Sequence, residues 1–223
     1  VNPITSTEEI EMTRYALLAL FLFSSYTLVD AQSDHQPEFF AGYSFEDVDS
    51  GITNSNIQAT GITQTSLTNR VRLNGLNLSG AAYFKKRVGI VADFSAHFDE
   101  RNDFLDNITT RSKFSLYTLT AGPQYKFSSF SRFTPFIHAL AGVSRRNLTE
   151  TLPGGENYFT DNNTSFALNL GGGVDYKLSN RFGFRLFQLD YNPIFQRSRT
   201  INSTLFPSET LNGIRFSAGI VIK

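Results

Sequence analysis

From residue 38 onward, apolar and polar side chains alternate with a period of two in stretch after stretch. In "EFFAGYSFED" (38–47), Phe39, Ala41, Tyr43 and Phe45 share one face, and Phe40, Gly42, Ser44 and Glu46 share the other. In "VGIVADFSAHF" (88–98), Val88, Ile90, Ala92, Phe94, Ala96 and Phe98 oppose Gly89, Val91, Asp93, Ser95 and His97. A helix cannot hold such a pattern on one face, because its repeat is 3.6 residues; a strand holds it by construction. The same alternation marks 75–84, 115–127, 133–145, 165–177, 184–196 and 211–223, so the chain is expected to be all-β with eight strands.

The connections alternate as regularly as the side chains. Long polar stretches (48–72, 99–113, 146–164 and 197–210) take turns with short basic ones around Lys85–Arg87, Ser128–Arg132 and Leu178–Arg181. Short turns at one end and long loops at the other are the pattern of an up-and-down transmembrane barrel. Ring content agrees, since 22 Phe and 9 Tyr coexist with a slightly polar mean hydropathy of −0.19. So many rings fit a chain whose strands meet lipid on one face. Phe84, Tyr125, Phe127, Phe133, Tyr176 and Phe182 flank the short turns, while Phe45, Phe98, Phe166, Tyr191 and Phe195 sit toward the long loops, as two interfacial belts would. A soluble barrel with its apolar face inward has the same period. The final stretch, "RFSAGIVIK", would be an aggregation-prone edge unless paired, and closure onto "EFFAGYSF" removes that edge. The expected fold is therefore a closed eight-stranded antiparallel up-and-down transmembrane β-barrel.

Before the alternation, Met12-Thr13-Arg14, the apolar run Ala16–Phe23 and Val29-Asp30-Ala31 have the layout of a secretory signal. The run is too short to cross ~30 Å of hydrocarbon as a helix. Residues 1–11 are expected to be a mis-called start outside the fold, 12–31 a cleaved signal peptide and 32–223 the barrel. With no Cys, the exported chain uses no disulfides. Twenty Lys+Arg against 20 Asp+Glu argues against nucleic acid as a partner. Three scattered His and no Cys form no metal motif, and no cofactor is expected.

Together with "FFAGYSF", "GIVADFSAHF", "TPFIHALAGVSR" and "RLFQLDYNP", this architecture resembles the bacterial outer-membrane eight-stranded barrels, which include the membrane domain of outer membrane protein A and the opacity-type porin-like proteins. The resemblance covers residues 38–223. It implies residence in the outer membrane of a Gram-negative bacterium, contact with outer-membrane lipid and insertion by the barrel-assembly machinery. Ser217, Gly219 and Ile222 stand at the positions of the family's C-terminal assembly pattern, and Lys223 stands where an aromatic residue is usual.

An eight-stranded barrel is about wide enough to be filled by its own side chains, so inward charges decide whether anything passes. Side-chain parity turns Arg215, Asp190 and Glu46 inward, and rough register places them together as a lumen charge cluster, because buried charges must be paired. Asp93, Gln188, Asp175, Asn169 and His138 extend the polar lining. Asp93, Ser95 and His97 share one strand face and offer an acid, a hydroxyl and an imidazole. That parity aims them at the lumen, however, where a lipid hydrolase would not meet its substrate. Glycines in "LGGGVDY" (170–176) are read as close packing, since no P-loop Lys-Ser/Thr follows. The functional expectation is a monomeric, non-enzymatic barrel of structural or porin-like role with a narrow or plugged lumen. The rivals are a surface adhesin binding an extracellular ligand through its loops and, behind it, a lipid-modifying hydrolase.

Overall fold

The computed structural model describes residues 37–50, 70–105, 108–151, 157–201, 204–206 and 208–223. The expected leader and most of the loop at 48–72 lie outside the described residues. Eight long strands, β1 (Glu38–Asp49), β2 (Arg70–Lys85), β3 (Val88–Leu105), β4 (Ile108–Lys126), β5 (Phe133–Thr151), β6 (Asn157–Lys177), β7 (Phe182–Gln196) and β10 (Glu209–Ile222), form the wall. They close in the order β1-β10-β7-β6-β5-β4-β3-β2, and β8 (Arg199–Ile201) with β9 (Thr204–Phe206) makes a separate two-stranded hairpin. The last strand seals against the first in antiparallel register, Phe40 facing Val221 and Glu46 facing Arg215. Closure leaves no backbone edge in the lipid-crossing part, which membrane-spanning strands require.

Strands run further on the loop side than the alternation suggests. β3 and β4 stay paired up to Leu105↔Ile108, and β5 and β6 up to Thr151↔Asn157, so much of 99–113 and 146–164 is strand rather than loop. Hydrophobic alternation ends where lipid ends, whereas backbone pairing continues into water.

The faces separate cleanly. Outward side chains such as Ile90, Leu119, Ile137, Leu189 and Ile214 are each about half exposed, whereas Ser44, Asn77, Asp93, Thr120, Asn169, Gln188 and Ser217 are buried inside. A closed barrel with apolar side chains outside and polar ones inside is built for lipid. At the upper limit of the apolar band, Tyr43 and Tyr191 donate hydrogen bonds to Asn74 and Asn212, both 2.5 Å. Phe98 packs edge-on to Tyr117 nearby, and Phe133–Tyr176 and Tyr125–Phe127 pack at the opposite end. Beyond the band, Arg70 bridges Asp47 (2.6 Å) and Asp49 (2.8 Å); the Asp47 hydrogen bond chiefly raises its guanidinium pKa above the ordinary value.

Candidate functional site

The interior is layered. Toward the long-loop end, Val48, Val71, Leu73, Phe114, Leu116, Leu148, Ala167, Ile194 and Leu211 form one apolar cluster drawn from every barrel strand except β3. None is more than 3% exposed, so their inward side chains pack against one another across the lumen.

Below that layer the lining becomes ionic. Arg215 on β10 is fully buried and lies between two carboxylates, Asp93 of β3 (Nη1–Oδ1, 2.8 Å) and Asp190 of β7 (Nη2–Oδ2, 2.7 Å). Asp190 also lies 2.8 Å from His138 Nε2 and accepts from Gln188 (2.7 Å), whose carbonyl oxygen in turn accepts from Arg185 (2.6 Å). Arg185 pairs with Asp175 (2.9 Å) while its guanidinium is held between the rings of Phe40 and Phe136, 4.4 and 4.2 Å from their centroids. Stacking of this kind lets a guanidinium be desolvated without leaving either plane empty. Asp175 reaches Lys126 at 4.0 Å, Lys126 pairs with Glu38, and Glu38 with Lys223 at 3.1 Å. The signs alternate along this ladder. Asp93, Asp190, Asp175 and Glu38 are matched by Arg215, Arg185, Lys126 and Lys223, which is how buried charge is tolerated.

Of the expected cluster, Arg215 and Asp190 are in direct contact, with Gln188, His138 and Asp175 continuing outward from them. Asp93 is a direct partner of Arg215 rather than remote lining. Glu46 is buried and faces Arg215 in register, but its contacts are Asn192 (Nδ2 donating, 3.1 Å) and His97 (Nδ1–Oε2, 3.0 Å). Asn169 is buried but takes no part in the ladder.

His97 also departs from its expected company. Its Nε2 shares a 2.8 Å hydrogen bond with Ser44 Oγ on β1, and Ser44 Oγ lies 2.9 Å from Ser217 Oγ. Two residues of spacing keep Ser95 and Asp93 strung out along β3, whereas the barrel's curvature brings β1 across to His97. The outcome is a carboxylate–imidazole–hydroxyl order, Glu46–His97–Ser44, in which all three residues are 0% exposed. A nucleophile needs a space beside it for the reacting carbon, and these side chains are enclosed by the wall and its neighbours.

Two local devices make room for the ladder. On β7 the register shifts between Val174↔Phe187 and Asp175↔Arg185, so Leu186 and Phe187 both face out and Arg185 turns in. This β-bulge re-aims one side chain at the cost of one unpaired position. At Gly171, a Cβ would sit 2.1 Å from Asp190 Oδ1, so that glycine is what allows the carboxylate to lie against β6.

A family model described as outer membrane protein beta-barrel domain matches residues 15–205. Among solved structures, Ail, the attachment invasion locus protein of Yersinia pestis, in complex with the heparin analogue sucrose octasulfate, is similar with a TM-score of 0.52 at 14% identity, covering 85% of this chain and 100% of that one. Neisserial surface protein A is similar with a TM-score of 0.55 at 16% identity, covering 86% and 99%. At these identities the likeness is one of fold. No curated protein matches by sequence.

Proposed function

The chain belongs to the outer membrane protein β-barrel family and resides in the bacterial outer membrane, and on that footing we propose that it serves there as a structural, porin-like barrel whose lumen is plugged. The carrying observation is the pair of barriers in series: an apolar layer that excludes water, and an ionic ladder whose charges already satisfy one another. An entering ion must shed water at the first and finds no unpaired charge at the second. Purified full-length protein in a planar bilayer should give no unitary current steps across the voltage range in which general porins conduct. Reproducible steps from a preparation free of other porins would sink this reading.

In this reading the protein is a monomer, inserted by the barrel-assembly machinery through the Ser217–Ile222 segment, and it is not an enzyme. Ser44 lies beneath the apolar layer, so a serine-directed fluorophosphonate should leave it unlabelled in the folded barrel. Stoichiometric labelling that is lost in Ser44→Ala would instead favour a hydrolase. A second reading, a surface-interaction protein, is favoured by one observation. β3 to β6 extend past the apolar band as a paired wall, a platform for an extracellular ligand.

A further inference from the structure

At the short-turn end of the barrel, every exposed charged side chain among the described residues is a cation: Lys85, Lys86, Arg87, Arg132, Lys177 and Arg181. The acids of this end, Glu38 and Asp175, are drawn inside the wall and spent on the ladder. The opposite end has no such bias, since Asp47, Asp49 and Glu100 intermingle there with Arg70, Arg72 and Arg111.

The cations alternate with rings. Lys85 follows Phe84, Arg132 precedes Phe133 and Arg181 precedes Phe182, and all three rings are lipid-facing. Between β4 and β5, Phe130 and Phe133 exchange backbone hydrogen bonds (2.8 and 3.0 Å) around a tight turn with Ser131 at φ 56°, and that turn holds Phe130 80% exposed. A phenylalanine fixed at a turn tip and a cation beside each ring describe a surface seated in a headgroup layer rather than projecting into water. Where β1, the β6–β7 turn and the end of β10 meet, Pro37, Phe39, Asn180, Arg181, Ile222 and Lys223 line a cleft of about 510 Å³. One side of it is apolar and continuous with the lipid face. The other offers the Arg181 guanidinium, the Asn180 amide and the Lys223 ammonium, which also holds Glu38 at 3.1 Å.

We propose that this rim binds anionic phospholipid of the periplasmic leaflet, with a headgroup phosphate between Arg181, Lys223 and Asn180 and an acyl chain along Phe39 and Ile222. The inference takes the short turns as periplasmic, as barrels of this kind place them; it does not depend on the plugged lumen. Charge complementarity selects the anionic lipid, and the flanking rings select a membrane over a soluble polymer.

The test is native mass spectrometry of the full-length barrel released from vesicles holding equal phosphatidylglycerol and phosphatidylcholine. Wild type should retain phosphatidylglycerol preferentially. Arg181→Gln with Lys223→Gln should lower that preference roughly five-fold per charge removed, and Arg181→Lys should keep it. Lys85→Gln with Lys86→Gln removes two exposed rim cations that are not members of the ladder and should lower the preference as well, a second measure should the Lys223 change loosen Glu38, and a boiling-dependent gel shift reports folding in each case. Equal retention of the two lipids by wild type would overturn the proposal. So would displacement of phosphatidylglycerol by soluble anionic cell-wall glycopeptides, which would make the wall polymer the partner.

Discussion

Arg215→Met should cost the folded barrel about 3–5 kcal/mol, the usual penalty for removing one partner of a buried ion pair. The expected cost is high because the guanidinium serves two carboxylates at once, Asp93 and Asp190, and both are themselves buried, each 1% exposed. Methionine fills much of the volume, so the loss is electrostatic rather than a cavity effect. Urea titration in lipid vesicles, read by the boiling-dependent gel shift, measures it. Adding Asp190→Asn and Asp93→Asn to Arg215→Met should return much of the stability, because the remaining groups are then neutral and hydrogen-bonded. Recovery in the triple variant would locate the cost in unpaired charge. A single Arg215→Met variant within about 0.5 kcal/mol of wild type would mean that the carboxylates find water, and hence that the lumen is wetter than its packing implies.

Much of this architecture can be read from the chain, and the exceptions have physical causes. Alternation placed Arg215, Asp190, Asp93, Gln188 and His138 on inward faces, because a closed wall keeps parity along a regular strand. Arg185 escaped that logic. Strict alternation through β7 puts it on the lipid side with Phe187, and only the bulge at Leu186–Phe187 brings it in. A hint was present, since an arginine in the middle of a lipid-facing row is costly. Pairings across the lumen are less legible still. The Glu46–His97 and Ser44–His97 contacts join strands separated by β2, and they depend on barrel curvature and side-chain reach rather than on neighbouring register. Family resemblance and period told the same story about fold. Neither carried information on which charges touch.

The apolar layer answers to a different substitution. Phe114 is 1% exposed and, with Leu116, Leu148, Leu73 and Leu211, fills the barrel above the ladder. Truncating it to alanine should cost about 3–5 kcal/mol, the range for a buried aromatic whose surroundings cannot collapse. Collapse is hindered here because the backbone belongs to a closed wall whose every strand is held on both sides. Phe114→Ala should nevertheless remain silent in a planar bilayer. The void it leaves lies in the apolar layer, and deeper in the lumen Arg215, Asp93 and Asp190 still hold one another and present no free site for an ion. Stability and conductance therefore separate, with a large fall in the urea midpoint and no current. Steady current from Phe114→Ala would show that the ring layer alone kept wild type closed. The ladder would then be a lining that ions can pass, and the barrel a narrow pore held shut by its phenylalanine.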